Sequence, residues 1–352
     1  MNEPRNLLIV RTDRVGDVVL SLPLARAIKE RFPSCRVSFL VRAYTQDLTR
    51  GHPWIDEVLV LEEGRGGTDV AANARAVRSR GFDTGIAVYP TLRIALVLLR
   101  SGIPRRIGTA YRWYSALFNE RVRQHRRRGD RHELEHNMDL LRRLGIEPPD
   151  SPSFDLPVSP ERSRKVETLL EREGVGPRRP RIVVHPGSGG SAVDLPLERF
   201  RTLVARMRAD LDATILVTGL ASEKPACDAL SAGGGVVNLA GALELGDLVA
   251  LIDRSDVLVA NSTGPIHIAA ALGKFVVGFY SKSPACSPAR WGPYTDRRAV
   301  FMPTLGCSGC TRSRCRKLRC MESIDLDEAL AAVKGALGGG LRTGSASGRA
   351  PS

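Results

Sequence analysis

The stretch Asp256-Val-Leu-Val-Ala-Asn-Ser-Thr-Gly-Pro-Ile-His-Ile-Ala-Ala-Ala-Leu-Gly273 decides how this chain folds, because it reads as a buried strand, a tight polar turn and a helix with marked ends. Val257 to Ala260 are apolar and partly β-branched, which suits a central parallel strand covered on both faces. Ser262 or Thr263 is placed to cap the following helix, Pro265 suits its first turn and Gly273 its left-handed end. The N–H groups of Thr263, Gly264 and Ile266, with His267 in the first turn, then face outward as a site that fits a phosphate. Taken alone, the stretch is equally an ordinary strand-to-helix connection with a structural His267.

A second loop of the same kind shifts that balance. Arg181-Ile-Val-Val-His-Pro-Gly-Ser-Gly-Gly190 is a strand running into a glycine-rich loop, where missing side chains let the backbone approach a ligand. Ligands in open α/β sheets sit at the carboxyl ends of strands, so His185, Gly187, Ser188 and Gly189 join Ser262, Thr263, Gly264, Pro265 and His267 in an expected nucleoside diphosphate site. Glu223, after the strand ending at Gly219, is placed to accept ribose hydroxyls, although a glutamate near a helix start also fits a dipole-favoured surface position. No Gly-x-Gly-x-x-Gly follows a predicted strand, which argues against a dinucleotide.

Working outward, strands alternate with helices along both halves of the 352 residues. Strands are expected at Leu7 to Arg11, Arg36 to Val41, Val58 to Leu61 and Thr84 to Tyr89, with helices from the Asp17 turn to about Phe32, from Thr68 to Arg80 and from His132 to Leu144. Pro23 lies in the first turns of the first helix or kinks it. The proline-rich run 147–160 reads as a linker, and the pattern restarts after the helix Glu161 to Glu173. The expected organisation is an N-terminal Rossmann-like domain over 1–150, a linker and connecting helix over 151–180, a C-terminal Rossmann-like domain over 181–337, and a disordered tail over 338–352. Two doubly wound α/β domains facing a central cleft suit group transfer from a donor to an acceptor.

The hydrophobic content of 43% with 26% charged residues is that of a soluble globular protein, and no apolar run approaches a membrane span. The N-terminus lacks a signal-peptide pattern, so a cytoplasmic location is expected. The net charge of +14 is concentrated, with Arg100, Arg105, Arg106, Arg112, Arg121, Arg123, Arg126, Arg127, Arg128 and Arg131 in one stretch. No zinc-finger, helix-turn-helix or RRM-like pattern accompanies them, which argues against nucleic acid. Tyr111, Trp113, Tyr114 and Phe118 lie among them, as on a patch that rests on lipid headgroups or grips an amphiphile. A solvated face is the plain alternative.

The order of several short motifs resembles glycosyltransferase family nine, the lipopolysaccharide heptosyltransferase family: Leu-Leu-Ile-Val-Arg-Thr-Asp-Arg-Val-Gly-Asp17, Arg106-Ile-Gly108, His132-Glu-Leu-Glu-His-Asn137, His185-Pro-Gly-Ser188, Asn238-Leu-Ala-Gly241, Thr263-Gly-Pro-Ile-His267 and Cys320-Met-Glu-Ser-Ile324. The resemblance implies the GT-B fold, with the acceptor on the N-terminal domain and the nucleotide sugar on the C-terminal one. It implies an inverting, metal-independent transfer of a heptose-like sugar, from ADP-heptose or another nucleotide diphosphate sugar, to a lipopolysaccharide-core or other anionic glycolipid acceptor. The enzyme would work without a cofactor, peripherally at the cytoplasmic face of the inner membrane. Asp17 matches the family's general base, which takes the acceptor hydroxyl's proton, although an aspartate there also suits a cap for a helix beginning at Val18. Arg14, Arg105, Arg106 and Arg112 are the acceptor-binding candidates.

The chain departs from the family pattern in places. Ser262 stands where many members carry aspartate, and Val193 and Leu195 stand at the usual lysine and tryptophan positions. Lys282 and Arg290 are the cations available as substitutes. Cys307, Cys310, Cys315 and Cys320 have a spacing compatible with a structural four-thiolate metal site, but resemble a cysteine-rich loop clip that the family carries without a catalytic metal. Two alternatives to a transferase stay open: a nucleotide-sugar epimerase of GT-B type, and a non-catalytic nucleotide-sugar or glycan binder.

Overall fold

The computed structural model describes residues 3–126, 129–177, 179–306, 310–311, 313 and 319–338. The chain divides into two compact units, residues 1–160 with 289–291, and residues 161–288 with 292–352.

The first unit holds β1 (Asn6–Val10), α1 (Val15–Val19), α2 (Pro23–Arg31), β2 (Arg36–Val41), β3 (Glu57–Val60), a small hairpin of β4 (Glu63–Gly64) and β5 (Gly67–Thr68), α3 (Val70–Arg78), β6 (Thr84–Ala87), α4 (Leu92–Arg100), β7 (Arg105–Thr109), β8 (Glu120–Val122) and α5 (Glu133–Met138). Six strands form one parallel sheet in the order β3-β2-β1-β6-β7-β8. Leu7, Leu8, Ile9 and Val10 are wholly buried, as a central strand with helices on both faces requires.

Three local expectations from the sequence need correction. The expected helix to Phe32 is two helices, α1 and α2, because Pro23 lacks an N–H and opens α2 instead of continuing α1. The expected helix to Leu144 is α5 followed by a 3-10 turn, Asp139–Leu144, which Gly145 ends at φ 71°. No element is expected between Tyr89 and Arg105, yet α4 forms there, opened by the Thr91 hydroxyl, which accepts the Ile94 N–H at 3.2 Å. Its sequence LRIALVLLR carries only two polar residues, Arg93 and Arg100, seven apart on one face, so the apolar run between them also reads as a buried strand.

The second unit repeats the scheme with α6 (Pro160–Arg172), β9 (Arg181–His185), α7 (Leu197–Asp210), β10 (Thr214–Val217), α8 (Lys224–Ser231), β11 (Val236–Asn238), α9 (Leu245–Asp253), β12 (Val257–Asn261), α10 (Gly264–Ala271), β13 (Phe275–Phe279), β14 (Arg298–Phe301) and α12 (Leu326–Leu337), while the short α11 (Pro288–Trp291), between β13 and β14 in the chain, belongs from Ala289 on to the first unit. Its parallel sheet runs β11-β10-β9-β12-β13-β14. Phe200 of α7 meets Phe279 of β13 edge-to-face, with centroids 5.5 Å apart and both rings buried. Each such burial contributes about 1.5–3 kcal/mol. The tail expected beyond α12 lies outside the described residues from 339 onward.

Within each unit the strand order is 3-2-1-4-5-6, the doubly wound Rossmann order. The order reverses between β1 and β6 in the first unit and between β9 and β12 in the second. Chain leaving those strands at their carboxyl ends diverges and opens a crevice, which is where such sheets bind ligands. Residues 11–14 follow β1, and the loop after His185 and the turn after Asn261 follow β9 and β12. The topology therefore puts the three motifs singled out in the sequence at the two switch points.

Candidate active site

In the second unit, β12 ends at Asn261 and α10 starts at Gly264, with Pro265 in the first turn and Gly273 left-handed at φ +69° beyond the helix. Thr263 is the N-cap residue in extended conformation, but its side chain makes no capping hydrogen bond, contrary to the sequence expectation. Ser262 donates its N–H to the Phe279 carbonyl at 3.1 Å, and Ile266 donates to Thr263 O at 3.2 Å. The Ile266 N–H is thus engaged inside the turn and leaves the expected anion site. Thr263 and Gly264 donate to no group among the described residues, and both N–H groups lie at the positive end of the α10 dipole. His267 is buried in the first turn of α10.

The loop after β9 is held against this turn by Asn261, a residue the sequence reading passes over. Its Nδ2 donates to Pro186 O at 2.6 Å, and its Oδ1 accepts the Leu195 N–H at 2.8 Å. A buried amide with complementary donor and acceptor fixes both ends of a loop at once. Ser191 adds a bond from its hydroxyl to Ser262 O at 3.3 Å. His185 is buried, its Nδ1 lies 2.9 Å from Thr218 Oγ1, and burial pushes its pKa down to about 4. The neutral ring thereby joins the ends of β9 and β10.

Gly187 is where the loop meets Glu223. A Cβ there would stand 2.0 Å from Glu223 Oε1, so the carboxylate occupies the space a side chain would take. Glu223 Oε2 accepts the Leu220 N–H at 2.8 Å, and Gly219 precedes that turn. Gly189 and Gly190 are both left-handed, at φ +53° and +73°, and Ser188 is buried between them and the strand end. Val193 and Leu195 are core residues, so neither position supplies a cation. Lys282 lies just past the carboxyl end of β13 and donates to Leu305 O at 2.9 Å.

In the first unit, Arg11 follows β1 and is 1% exposed. Its Nε donates to Asp13 Oδ1 at 2.7 Å, its Nη2 to Asp17 Oδ1, and its Nη1 to Asn137 Oδ1 at 3.3 Å. Asp17 lies inside α1 and caps nothing; the helix begins at Val15 with Arg14 as N-cap. Glu133, buried at the start of α5, meets Arg126, Arg290 at 3.1 Å and Arg11 at 3.7 Å. Burial opposes its charge, but the three guanidinium groups hold its carboxyl below the ordinary range. Burial pushes the Asp13 carboxyl up, against the pull of Arg11.

Both units therefore carry a doubly wound switch point, one with N–H groups at a helix start and one with clustered carboxylates. A model of glycosyltransferase family 9 (heptosyltransferase) matches residues 70–320. The chain belongs to glycosyltransferase family 9. A Haemophilus influenzae protein with only the provisional name glycosyltransferase is 27% identical over 344 residues, covering 93% of this chain and 95% of that one. Among solved structures, a family 9 glycosyl transferase from Veillonella parvula superimposes with a TM-score of 0.81 at 18% identity, covering 95% and 97% of the two chains. The Escherichia coli ADP-heptose lipopolysaccharide heptosyltransferase II superimposes at 0.77 and 22% identity, covering 94% and 98%.

Within this family 9 chain the arginines of the basic stretch sort by position and partner. Arg105 and Arg106 start β7, at the amino edge of the sheet, away from Asp17. Arg105 forks onto Glu120 at 2.6 and 3.2 Å, and Arg106 donates to the carbonyls of Leu117 and Ile103 at 3.0 and 2.6 Å. These contacts tie the sheet edge together and leave both residues poorly placed for an acceptor at the switch point. The half-buried Arg126 pairs with the buried Glu133, and Arg131 pairs with Glu135 and Asp139. Arg127 and Arg128 lie outside the described residues. Arg14 and Arg112 are exposed, and both follow carboxyl ends of strands, those of β1 and β7. Along the edge strand β8, Arg121, Arg123, Arg142 and Arg143 line an open groove of about 1030 Å³ with Tyr111, and Trp113, two residues further along the chain, is 81% exposed.

Cys307 and Cys315 lie outside the described residues, whereas Cys310 and Cys320 pack against the core of the second unit. Among the described residues no helix is long and apolar enough to cross a membrane.

Proposed function

We propose that this family 9 transferase moves a heptose-like sugar from a nucleoside diphosphate donor to an anionic glycolipid acceptor, with inversion. The observation that carries the reading is the pair of switch-point sites: unclaimed N–H groups at the α10 terminus in the second unit, and Asp17 held on Arg11 in the first. Charge gathers on the leaving diphosphate in the transition state, and the Thr263 and Gly264 N–H groups are oriented donors for it without reorganisation. Ser188 and Gly189 complete the backbone cradle, whereas the Ser262 N–H is held by the Phe279 carbonyl, and His185 and Pro265 fix its geometry. Lys282 supplies the cation in place of Val193. Glu223 receives the ribose hydroxyls. Asp17 takes the proton of the attacking acceptor hydroxyl, since its Oδ2 accepts no bond among the described residues. The scheme calls for no metal or cofactor.

ADP is the first donor nucleotide to test, because the Escherichia coli neighbour is named for ADP-heptose. The acceptor end is addressed by Arg14 and Arg112. The groove along β8, lined by Tyr111, and the exposed Trp113 suit peripheral attachment to an anionic membrane leaflet, where guanidinium groups meet headgroups and an indole enters the interface.

A thermal-shift panel of ADP, UDP, GDP and dTDP, each with and without its sugar, tests the reading. A ligand that binds only the folded state raises its melting temperature, and a selective rise with one nucleotide is expected. Absence of any shift would favour a glycan-binding relative without donor chemistry. Asp17→Asn is expected to abolish transfer while keeping nucleotide affinity; retained transfer would remove Asp17 from the base role.

A further inference from the structure

We propose that Tyr44 and Tyr89 are the platform for the acceptor sugar: their rings flank the Asp17 carboxylate and stack against the C–H faces of the ring whose hydroxyl Asp17 deprotonates. The inference rests on the assignment of Asp17 as base. Its ground is the order of the first sheet, in which β1 lies between β2 and β6. Arg11, Asp13 and Asp17 follow β1, Tyr44 stands in the 3-10 turn Ala43–Leu48 after β2, and Tyr89 stands two residues beyond β6. Both tyrosines therefore leave the same carboxyl edge, one on each side of the carboxylates. Contact ties them to that cluster. The Tyr44 hydroxyl donates to Asp13 O at 2.5 Å, and the Tyr89 ring centroid lies 5.9 Å from the guanidinium carbon of Arg11, whose Nη2 meets Asp17.

Folding leaves both rings open. Tyr44 is 49% exposed and Tyr89 is 42% exposed, although each stands beside a buried cluster that could have covered it. Each ring is backed by a guanidinium that is itself held: Arg11 by Asp13 and Asp17, and Arg42, 5.8 Å from the Tyr44 centroid, by Glu63. A ring fixed on one side by a held cation is oriented in advance, so binding on its open side costs little in side-chain ordering. The strands β2 and β6 are two strand spacings apart, about 9–10 Å. That width suits one pyranose in van der Waals contact, at about 3.5–4 Å, with a wall on either side. The electron-rich face of an aromatic ring attracts the electropositive C–H hydrogens of a sugar, while the sugar's hydroxyls stay at the rim for hydrogen bonds. A lipid surface also takes exposed tyrosines, but these two flank the Asp13–Arg11–Asp17 cluster, and a bilayer resting there would cover the carboxylate that has to reach the acceptor hydroxyl. The geometry therefore favours a glycan over a membrane at this pair.

The test measures transfer from the nucleotide sugar that wild type binds to deacylated, water-soluble inner-core lipopolysaccharide. It compares wild type and Asp17→Asn with Tyr44→Phe, Tyr44→Leu, Tyr44→Ala, Tyr89→Phe, Tyr89→Leu and Tyr89→Ala. Phenylalanine keeps the flat face, leucine keeps apolar bulk without it, and alanine removes both. The leucine and alanine variants are expected to raise the acceptor KM about three- to tenfold each, with the nucleotide-sugar KM and the nucleotide Kd within about twofold of wild type; the phenylalanine variants should keep the acceptor KM within about twofold. Sedimentation with anionic phospholipid vesicles should show all of them bound as wild type is. A merely structural role would lower melting temperature and nucleotide affinity along with acceptor binding. Active wild type, inactive Asp17→Asn and leucine and alanine variants with the wild-type acceptor KM would overturn the inference alone. So would a loss confined to vesicle binding, which would make the pair a membrane contact. Wild type that neither binds a nucleotide nor transfers would overturn the transferase reading and this inference together.

Discussion

Replacing Gly187 by alanine separates binding from stability in a way the structure quantifies. The new Cβ would stand 2.0 Å from Glu223 Oε1 and 2.4 Å from its Cδ, closer than any real contact, so the carboxylate must move. Gly187 is not among the left-handed glycines, so its backbone accepts alanine without strain. The clashing atoms are the tip of a flexible side chain, and swinging it away loses the bond to the Leu220 N–H, which water replaces because Leu220 is 62% exposed. The stability cost should therefore stay near or below about 1 kcal/mol. The displaced carboxylate no longer receives the ribose hydroxyls, and a charge-assisted hydrogen bond lost from a binding site costs about 1.5–3 kcal/mol, or roughly 10- to 150-fold in Kd. Isothermal titration with the preferred nucleoside diphosphate and with inorganic pyrophosphate reads both effects. Pyrophosphate lacks the ribose and should bind wild type and Gly187→Ala equally. Unchanged nucleotide affinity in Gly187→Ala would refute the role of Glu223, and loss of pyrophosphate binding as well would mean the whole loop had shifted.

Other perturbations follow from the same geometry. Gly108→Ala meets a rigid obstacle, since the Phe118 ring lies 2.6–2.8 Å from the new Cβ and is 1% exposed; a loss of about 1–3 kcal/mol in chemical denaturation is expected, and a loss under about 0.5 kcal/mol would show that the ring yields. Asn261→Asp puts a carboxylate oxygen against the Pro186 carbonyl where an amide donates at 2.6 Å, so stability should fall by about 1–3 kcal/mol and nucleotide affinity with it. Equal affinity in that variant would show that the loop needs no pin. His185, with its pKa held near 4 against an ordinary 6.5, binds its proton less readily in the folded state than in the unfolded one. Its contribution is complete above pH 6.5 and disappears as pH falls through about 4, a loss of about 3 kcal/mol that His185→Gln should remove from the stability profile.

Much of this molecule is legible in one dimension. The alternation of apolar strands with helices, and the proline and glycine that bracket α10, are local consequences of backbone sterics and of burial on both faces of a parallel sheet. The loop after His185 and the turn after Asn261 are recognisable because a glycine-rich bend after a strand has few other uses. Partnership, by contrast, is a property of distance, and the chain brings together residues far apart in sequence. Arg11 finds Asn137, Glu133 finds Arg290, and Asn261 finds Pro186 and Leu195 only once the sheets have formed. The same holds for charge. Arg105, Arg106, Arg112 and Arg126 look alike in the sequence, yet the fold engages the first two at the amino edge of the sheet, pairs the last with the buried Glu133 and leaves Arg112 exposed. An arginine's role depends on which carboxylate or carbonyl it meets and how much water it keeps, and those are fixed by tertiary structure alone.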